Sequence, residues 1–465
     1  MADLHVPIDR ARGGLAAQVA GELRTAIRHG RLSAGTRLPA SRDLAADLQV
    51  SRGVVVEAYE QLVAEGFLVS RVGAGTVVAP VTPRPSAVTP RPSAAATAPP
   101  GVPGCGPFYG HRPTSPDLGH FPRERWLASV RHVLATVPSD ALDYGDPGGV
   151  PELREELAGY LRRVRAADVR PENLAIVGGV AQGLSLVLHV LTQDGPIDLA
   201  VEDPTSHRQV PLLRRAGARL VPVPVDGEGL VVDGLRAGAV LVTPAHQYPT
   251  GVVLSPPRRA ALVAWAEASG GVILEDDYDA EFRFDRDPVG CLQGLAPGRV
   301  VLSGSVSKAL APGLRLGWVA APAHLAESIR RARGELDLGS PVIEQYALAH
   351  FLRTGGYDKH LRRMRREYRR RRDALVAALA AELPGVRVRG IEAGLHIYLD
   401  LPGGWDELDT VRAAQELGLS AEPVSPMRAL AGHPAVVLGF ARVPVHKAAE
   451  AVRGLKVRMS GQNID

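Results

Sequence analysis

Residues 81–107 read VTPRPSAVTPRPSAAATAPPGVPGCGP, with eight prolines and hardly an aliphatic side chain larger than valine. Proline withholds a backbone donor, and side chains this small bury too little area to offset the entropy of ordering. No helix or strand can run through the segment. The chain is therefore expected to fold as separate bodies, residues 1–80 and 108–465, joined by a flexible proline-rich linker. The TPRPSA duplication within it is a low-complexity trait rather than a structural repeat. At about 3.1 Å per residue an extended linker of this length would span roughly 80 Å.

Composition sets the remaining bounds. In 465 residues, 45% are hydrophobic and 22% charged, ordinary globular values that exclude a wholly disordered or collagen-like chain. Two cysteines, Cys105 and Cys291, make neither a disulfide framework nor a spaced metal-ligand set, so no metal is expected and a reducing cytoplasm is the expected location. Neither a leader-like stretch nor an apolar run of about 18 residues is present, so no membrane partner is expected. The net charge of +4 permits nucleic-acid binding and argues for it only weakly, because the excess is small and spread out. Lysine occurs only at Lys308, Lys359, Lys447 and Lys456, and arginine supplies the other 50 basic residues. Chemistry that needs a lysine amine has few candidates.

In residues 1–80, Leu15, Val19, Leu23 and Ile27 recur at four-residue spacing, the stripe of an amphipathic helix from Leu15 to His29. Ser41 opens a second helix and Ser51 is placed to cap a third, which Gly66 ends. Residues 67–70 and 75–78 read as two short strands around Arg71-Val72-Gly73. Helix, helix, turn, helix and hairpin make a winged helix-turn-helix.

Beyond the linker, the apolar runs LAIVGG, IDLAVED, AVLVTP, GVILEDD and RVVLSGS alternate with helical stretches. Continuous apolar strands between helices indicate an α/β domain with a mostly parallel sheet covered on both faces, its functional groups at the strands' carboxyl ends. The end of the chain is helical, then carries short strands, and is expected to form a small α+β subdomain.

The strongest chemical signal is RVVLSGSVSKALAPGLRLGW, residues 299–318. A buried strand leads into Ser305, Ser307, Lys308 and, seven residues after the lysine, Arg315. A lysine amine among hydroxyls and an arginine suits a phosphate-bearing aldehyde: the amine forms an imine, the others bind phosphate, and cationic surroundings favour the neutral nucleophile. Alone the pattern is weak, because most such lysines are solvated. EDDYDAEF adds Asp276, able to hold a pyridine nitrogen protonated, and Tyr278, able to bond a ring hydroxyl. VGGVAQGLSLVLHVL adds a glycine turn whose amides at Gly179, Val180 and Ala181 would receive phosphate at a helix N-terminus.

LPASRDLA, VSR, AYEQL and the glycine-framed wing occur in order, and residues 38–79 closely resemble the GntR-type winged-helix domain. The resemblance makes residues 51–66 the recognition helix, with double-stranded operator DNA as partner. Arg42 and Arg52 are the candidates for base or phosphate contact, Arg71 for a minor-groove or phosphate contact from the wing, and Ser41, Ser51 and Thr76 for phosphate. Val54 stands where that family usually carries threonine, removing a hydroxyl contact. With nine arginines against eight acidic residues in residues 1–80, non-specific DNA affinity should be modest.

Residues 108–455, through TPAHQYPTG, EDDYDAEFR and SVSKALAPGLRLGW, resemble fold-type-I aminotransferases that use pyridoxal 5'-phosphate. Winged helix, proline-rich linker and aminotransferase-like domain together resemble the MocR subfamily of bacterial regulators. The resemblance makes Lys308 the cofactor's Schiff-base lysine, Asp276 the pyridine-nitrogen partner, Tyr278 the ring-hydroxyl partner, and Ser305, Ser307 and Arg315 phosphate ligands. Tyr144, in DYGDPGG, matches a tyrosine that reaches the partner's phosphate across a homodimer interface. Arg208 matches an arginine that some relatives use for an effector carboxylate.

This chain departs from that pattern. Ser206 replaces the aromatic residue stacked on the ring, with His207 as the substitute. Val436 and Val437 replace the second carboxylate arginine, leaving Arg442 as the nearest alternative. Tyr248 takes the usual asparagine's place. The expectation is a transcriptional regulator that uses pyridoxal 5'-phosphate as effector, or as receiver of an amine or amino-acid effector, without physiological turnover, in control of vitamin B6 or amino-compound metabolism. A working aminotransferase with an appended DNA-binding domain and a regulator with a bare dimerisation scaffold stand as alternatives.

Overall fold

The computed structural model describes residues 7–10, 13–71, 75–80, 112–284 and 290–461. The segment 81–107, read above as a linker, lies outside them. The described residues divide into two compact units.

The N-terminal unit has helices α1 (Leu15–Arg28), α2 (Ser41–Asp47) and α3 (Arg52–Ala64), then strands β1 (Leu68–Arg71) and β2 (Gly75–Val78) paired antiparallel. Gly14, at φ 63°, turns the chain into α1. The expected stripe of α1 is buried at Val19, Leu23 and Ile27 and meets Val55, Ala58, Tyr59 and Leu62 of α3. The Tyr59 hydroxyl donates to the Pro39 carbonyl at 3.0 Å, holding the start of α2 against α3. Arg24 grips Glu65 with two bonds of 2.7 and 2.6 Å. The Leu38 amide donates to Thr76 O at 2.9 Å, which ties the segment before α2 to the wing.

The larger unit is built on an eight-stranded sheet. Its strands are β3 (Leu174–Val177), β4 (Ile197–Asp203), β5 (Ala218–Asp226), β6 (Gly229–Leu230), β7 (Ala239–Val242), β8 (Val272–Asp277), β9 (Val300–Ser305) and β10 (Gly317–Ala320). Their order is β3-β10-β9-β8-β7-β4-β5-β6. Strands β5, β4, β7, β8 and β9 run parallel; β10 runs antiparallel to both its neighbours, and β6 antiparallel to β5. Neither β5 nor β10 is among the five apolar runs singled out from sequence. Strand β5 alternates small or apolar residues with exposed ones, and β10 is only four residues long.

Burial on both faces follows the two-residue pleat. On β3, Leu174 and Ile176 belong to one core cluster and Ala175 and Val177 to another. Gly183, in the helix Val180–Leu191, lets that helix approach the sheet: a Cβ there would lie 2.8 Å from Val319 Cγ2.

The C-terminal part carries a four-stranded antiparallel sheet, ordered β11 (Arg387–Arg389), β12 (His396–Asp400), β14 (Ala435–Gly439) and β13 (Ser420–Pro423). It is anchored to the large sheet through the Asp203 carboxylate at the end of β4, which accepts from the Ala429 and Leu430 amides at 2.7 and 3.1 Å.

Candidate functional site

The parallel strands deliver their last residues to one edge of the sheet. Strand β8 ends in Glu275, Asp276 and Asp277, and β9 in Ser303, Gly304 and Ser305, with Asp276 beside Ser303 in register. Loops leaving these ends carry Tyr278 and Lys308.

Lys308 Nζ donates to Thr114 Oγ1 at 3.0 Å. Burial pushes the amine down to about 8, with Arg112 acting in the same direction and Asp279, Asp276 and Glu422 opposing it. Thr114 carries no sequence signal of its own and is brought there only by the tertiary fold.

Asp276 is buried, which pushes its carboxyl up to about 7. Gln209 Nε2 donates to Oδ2 at 3.2 Å, while Oδ1 is buried with no hydrogen-bond partner among the described residues. Such an orphaned acceptor is costly unless a donor reaches it. A protonated pyridine nitrogen is a donor of the required kind.

Tyr278 Oη lies 3.1 Å from His246 Nδ1, and His246 Nδ1 lies 2.9 Å from Asp279 Oδ2. His246, Asp279 and His396 offer ligand atoms within 4.8 Å of one another, all three residues buried. His246 Nδ1 is engaged by hydrogen bonds, and His396 Nε2 lies 3.2 Å from Pro249 O, so this trio forms a polar support behind Tyr278. Neither histidine was singled out from sequence. HQYPTG shows a turn, and only the fold brings Asp279 to it.

The glycine turn before the helix Val180–Leu191 matches its expected form. Gly179 has φ 109°, a conformation favouring glycine, and a Cβ there would lie 3.3 Å from Arg315 Nη1. The Arg315 guanidinium therefore lies over that helix's N-terminus. The Val180 and Ala181 amides begin the helix, where no intrahelical acceptor exists. Ser305 Oγ accepts from the Ser307 amide at 3.4 Å on the facing loop. Amides, hydroxyls and a guanidinium make a donor set fitting a phosphate dianion. Together with Lys308 and the orphaned Asp276 oxygen, these residues fit pyridoxal 5'-phosphate.

Tyr144 is 83% exposed. Arg208 Nη2 donates to Glu422 Oε1 at 2.8 Å, a bond with no forewarning in the sequence. Arg442 Nε donates to Pro116 O at 3.0 Å. His207 has Nδ1 buried without a hydrogen-bond partner among the described residues.

In the N-terminal unit Ser41 begins α2 and Arg52 begins α3, and Arg52 Nε donates to Ser41 Oγ at 3.4 Å. Arg42, Ser51 and Arg52 are exposed. Ser51 holds the capping position of α3, but its side chain makes no capping bond, which corrects the expectation of a side-chain cap. Thr76 sits on β2. Arg71 ends β1, and its side chain lies outside the described residues.

A winged helix and an aminotransferase-fold unit with a lysine-centred site define a class. Residues 15–78 match the family "Bacterial regulatory proteins, gntR family", and residues 116–434 match "Aminotransferase class I and II". The chain is 35% identical over 430 residues to the HTH-type pyridoxine biosynthesis transcriptional regulator PdxR of Corynebacterium glutamicum, covering 90% of this chain and 91% of that protein. It is 32% identical over 475 residues to the probable rhizopine catabolism regulatory protein MocR of Rhizobium meliloti, covering 98% and 94%. Among solved structures, Pyrococcus horikoshii kynurenine aminotransferase is similar at a TM-score of 0.69 and 26% identity, over 76% of this chain and 90% of that one. The chain belongs to the MocR type of GntR-family transcriptional regulators, in which a winged helix is fused to an aminotransferase class I and II domain.

Proposed function

We propose that this DNA-binding regulator senses pyridoxal 5'-phosphate through Lys308 and passes its occupancy to the winged helix. The observation that carries the reading is the buried Asp276 oxygen with no partner among the described residues, at the end of the strand beside the one that leads to Lys308. When bound, the cofactor supplies an aldehyde for an amine and an electron-poor ring. The chain's own residues do the rest: Lys308 offers an amine that burial keeps readily deprotonated, and Asp276 accepts the pyridine N–H. Tyr278, steadied by His246 and Asp279, donates to the ring oxygen. The Gly179, Val180 and Ala181 amides, Ser305, Ser307 and Arg315 hold the phosphate.

Residues 1–80 form the reader, 81–107 the linker and 108–465 the sensor. Two sensors make a homodimer in which Tyr144, exposed on a single chain, reaches the partner's phosphate pocket. The reader contacts operator DNA through Ser41, Arg42, Ser51, Arg52, Arg71 and Thr76. A reducing cytoplasm is the compartment its two cysteines suit; no helix among the described residues is long and apolar enough to cross a membrane. Control of vitamin B6 supply follows by analogy with the relative named for pyridoxine biosynthesis.

The appended-enzyme alternative is tested directly. The purified, cofactor-loaded protein should acquire a visible absorbance band and retain specific DNA, yet support no sustained transamination. Repeated turnover with free amino acids, combined with DNA binding indifferent to the cofactor, would establish that alternative.

A further inference from the structure

On β13, Glu422 pairs in register with Val437 of β14, one of the two valines that stand where an arginine for a ligand carboxylate was expected. Val437 is buried beside Tyr398, Val424 and Met427, so that wall is apolar. Glu422 itself is 9% exposed. One of its oxygens accepts from Arg208 at 2.8 Å, and the other lies 3.5 Å from the Tyr248 hydroxyl. Tyr248 packs edge-on against Tyr278, centroids 6.1 Å apart. The ion pair thus continues the surface that leads to the cofactor site.

We propose that Glu422 is a specificity-determining residue: its carboxylate occupies Arg208 in place of a ligand carboxylate, so the site beside Lys308 accepts amines lacking a carboxylate and rejects amino acids. This rests on the cofactor reading given above. An incoming amino acid would have to displace a carboxylate already bonded and nearly dewatered. It would then strip that carboxylate of its arginine and set the ligand's own negative charge beside it, which a nearly dewatered site strongly disfavours. A ligand without a carboxylate meets neither penalty. Retaining the Arg208 pair while placing valine at position 437 removes both halves of a carboxylate grip by different means, one by occupation and one by substitution.

The test compares 1-aminopentane with L-norleucine, which differ only by the α-carboxylate, on the cofactor-loaded full chain. Binding at the cofactor exchanges one imine for another. The ligand nitrogen bonds the aldehyde carbon, the bond to Lys308 Nζ breaks, and the two hydrogens of the incoming amine end on Nζ. No oxidant is needed, and the visible spectrum reports the exchange. Wild type should respond to 1-aminopentane at concentrations at least about tenfold lower than to norleucine. Glu422→Gln should lower that preference about tenfold, and adding Arg208→Gln should abolish the norleucine gain. Equal wild-type responses would overturn the proposal, as would a preference unchanged in Glu422→Gln. The wild-type ratio decides even if the variant fails to fold. If no visible band forms before any ligand is added, the cofactor reading falls and this proposal with it; a normal band with equal responses sinks the Glu422 assignment alone.

Discussion

Gln209 holds one oxygen of Asp276 at 3.2 Å and leaves the other buried with no partner among the described residues, so the carboxylate is half prepared for a donor. Gln209 is reached from β4 through the turn that also carries His207 and Arg208, and Asp276 from β8. One site edge is thus assembled from strands far apart in sequence.

Asp276→Asn should weaken pyridoxal 5'-phosphate binding by tenfold or more in a spectroscopic titration, since an amide is a poor partner for a protonated ring nitrogen; one charge-assisted bond is worth about 1.5–3 kcal/mol. A pH effect accompanies it. Burial raises the Asp276 carboxyl from 3.8 to about 7, so between those values the folded, cofactor-free protein keeps a proton that the unfolded chain has released. Folded stability therefore falls as pH rises through that window, by up to about 1.4 kcal/mol per pH unit from this group. Asp276→Asn should remove one proton's worth of that slope in urea unfolding of the cofactor-free protein. Identical slopes would count against a buried, proton-holding Asp276.

Lys308 titrates near 8, so its condensation with added cofactor should speed up as pH rises through about 8 and level off above it, measured by stopped-flow absorbance at fixed cofactor. Lys308→Ala should lose both the visible band and the borohydride-reducible adduct. Survival of the same adduct would move the chemistry to another of the four lysines.

Arg52 opens α3, exposed and braced by Ser41. Arg52→Ala should cost roughly 1–3 kcal/mol at a specific site and relax sequence preference at one base pair, read by titration at constant salt. Unaltered affinity and preference would remove Arg52 from the base-reading set.

Leu62 of α3 is fully buried in the core shared with α1. Leu62→Ala should destabilise the N-terminal unit by about 2–5 kcal/mol through the cavity it leaves. DNA binding should weaken while the visible band of the loaded sensor persists. Loss of the band in this variant would show that the two units do not fold separately.

The winged helix is legible in sequence because its stripe, helix starts and wing glycines are local signals, and Val19 and Leu23 needed no distant information to be placed. The same holds for Gly179, whose positive φ follows from a strand-turn-helix read in ten residues. Strand β10 escaped because four residues between turns carry too little period, and β5 because its outer face is exposed. Thr114, Gln209, His246, Asp279 and Glu422 could not be read locally: each matters through a partner that only the fold supplies. Glu422 lies 214 positions from Arg208, and no spacing rule connects them.

We propose that cofactor occupancy at Lys308 changes how the reader holds DNA. Cofactor can do so only by favouring one arrangement of the reader over another, because equal affinity for both shifts nothing. The decisive measurement is operator affinity, by fluorescence anisotropy at fixed salt, with and without pyridoxal 5'-phosphate, for wild type and Lys308→Ala. Wild-type affinity or footprint should change by roughly 5- to 150-fold or an equivalent rearrangement, the usual range of allosteric coupling, and Lys308→Ala should show no response. A wild type that binds the cofactor yet holds DNA with unchanged affinity and footprint would contradict this coupling.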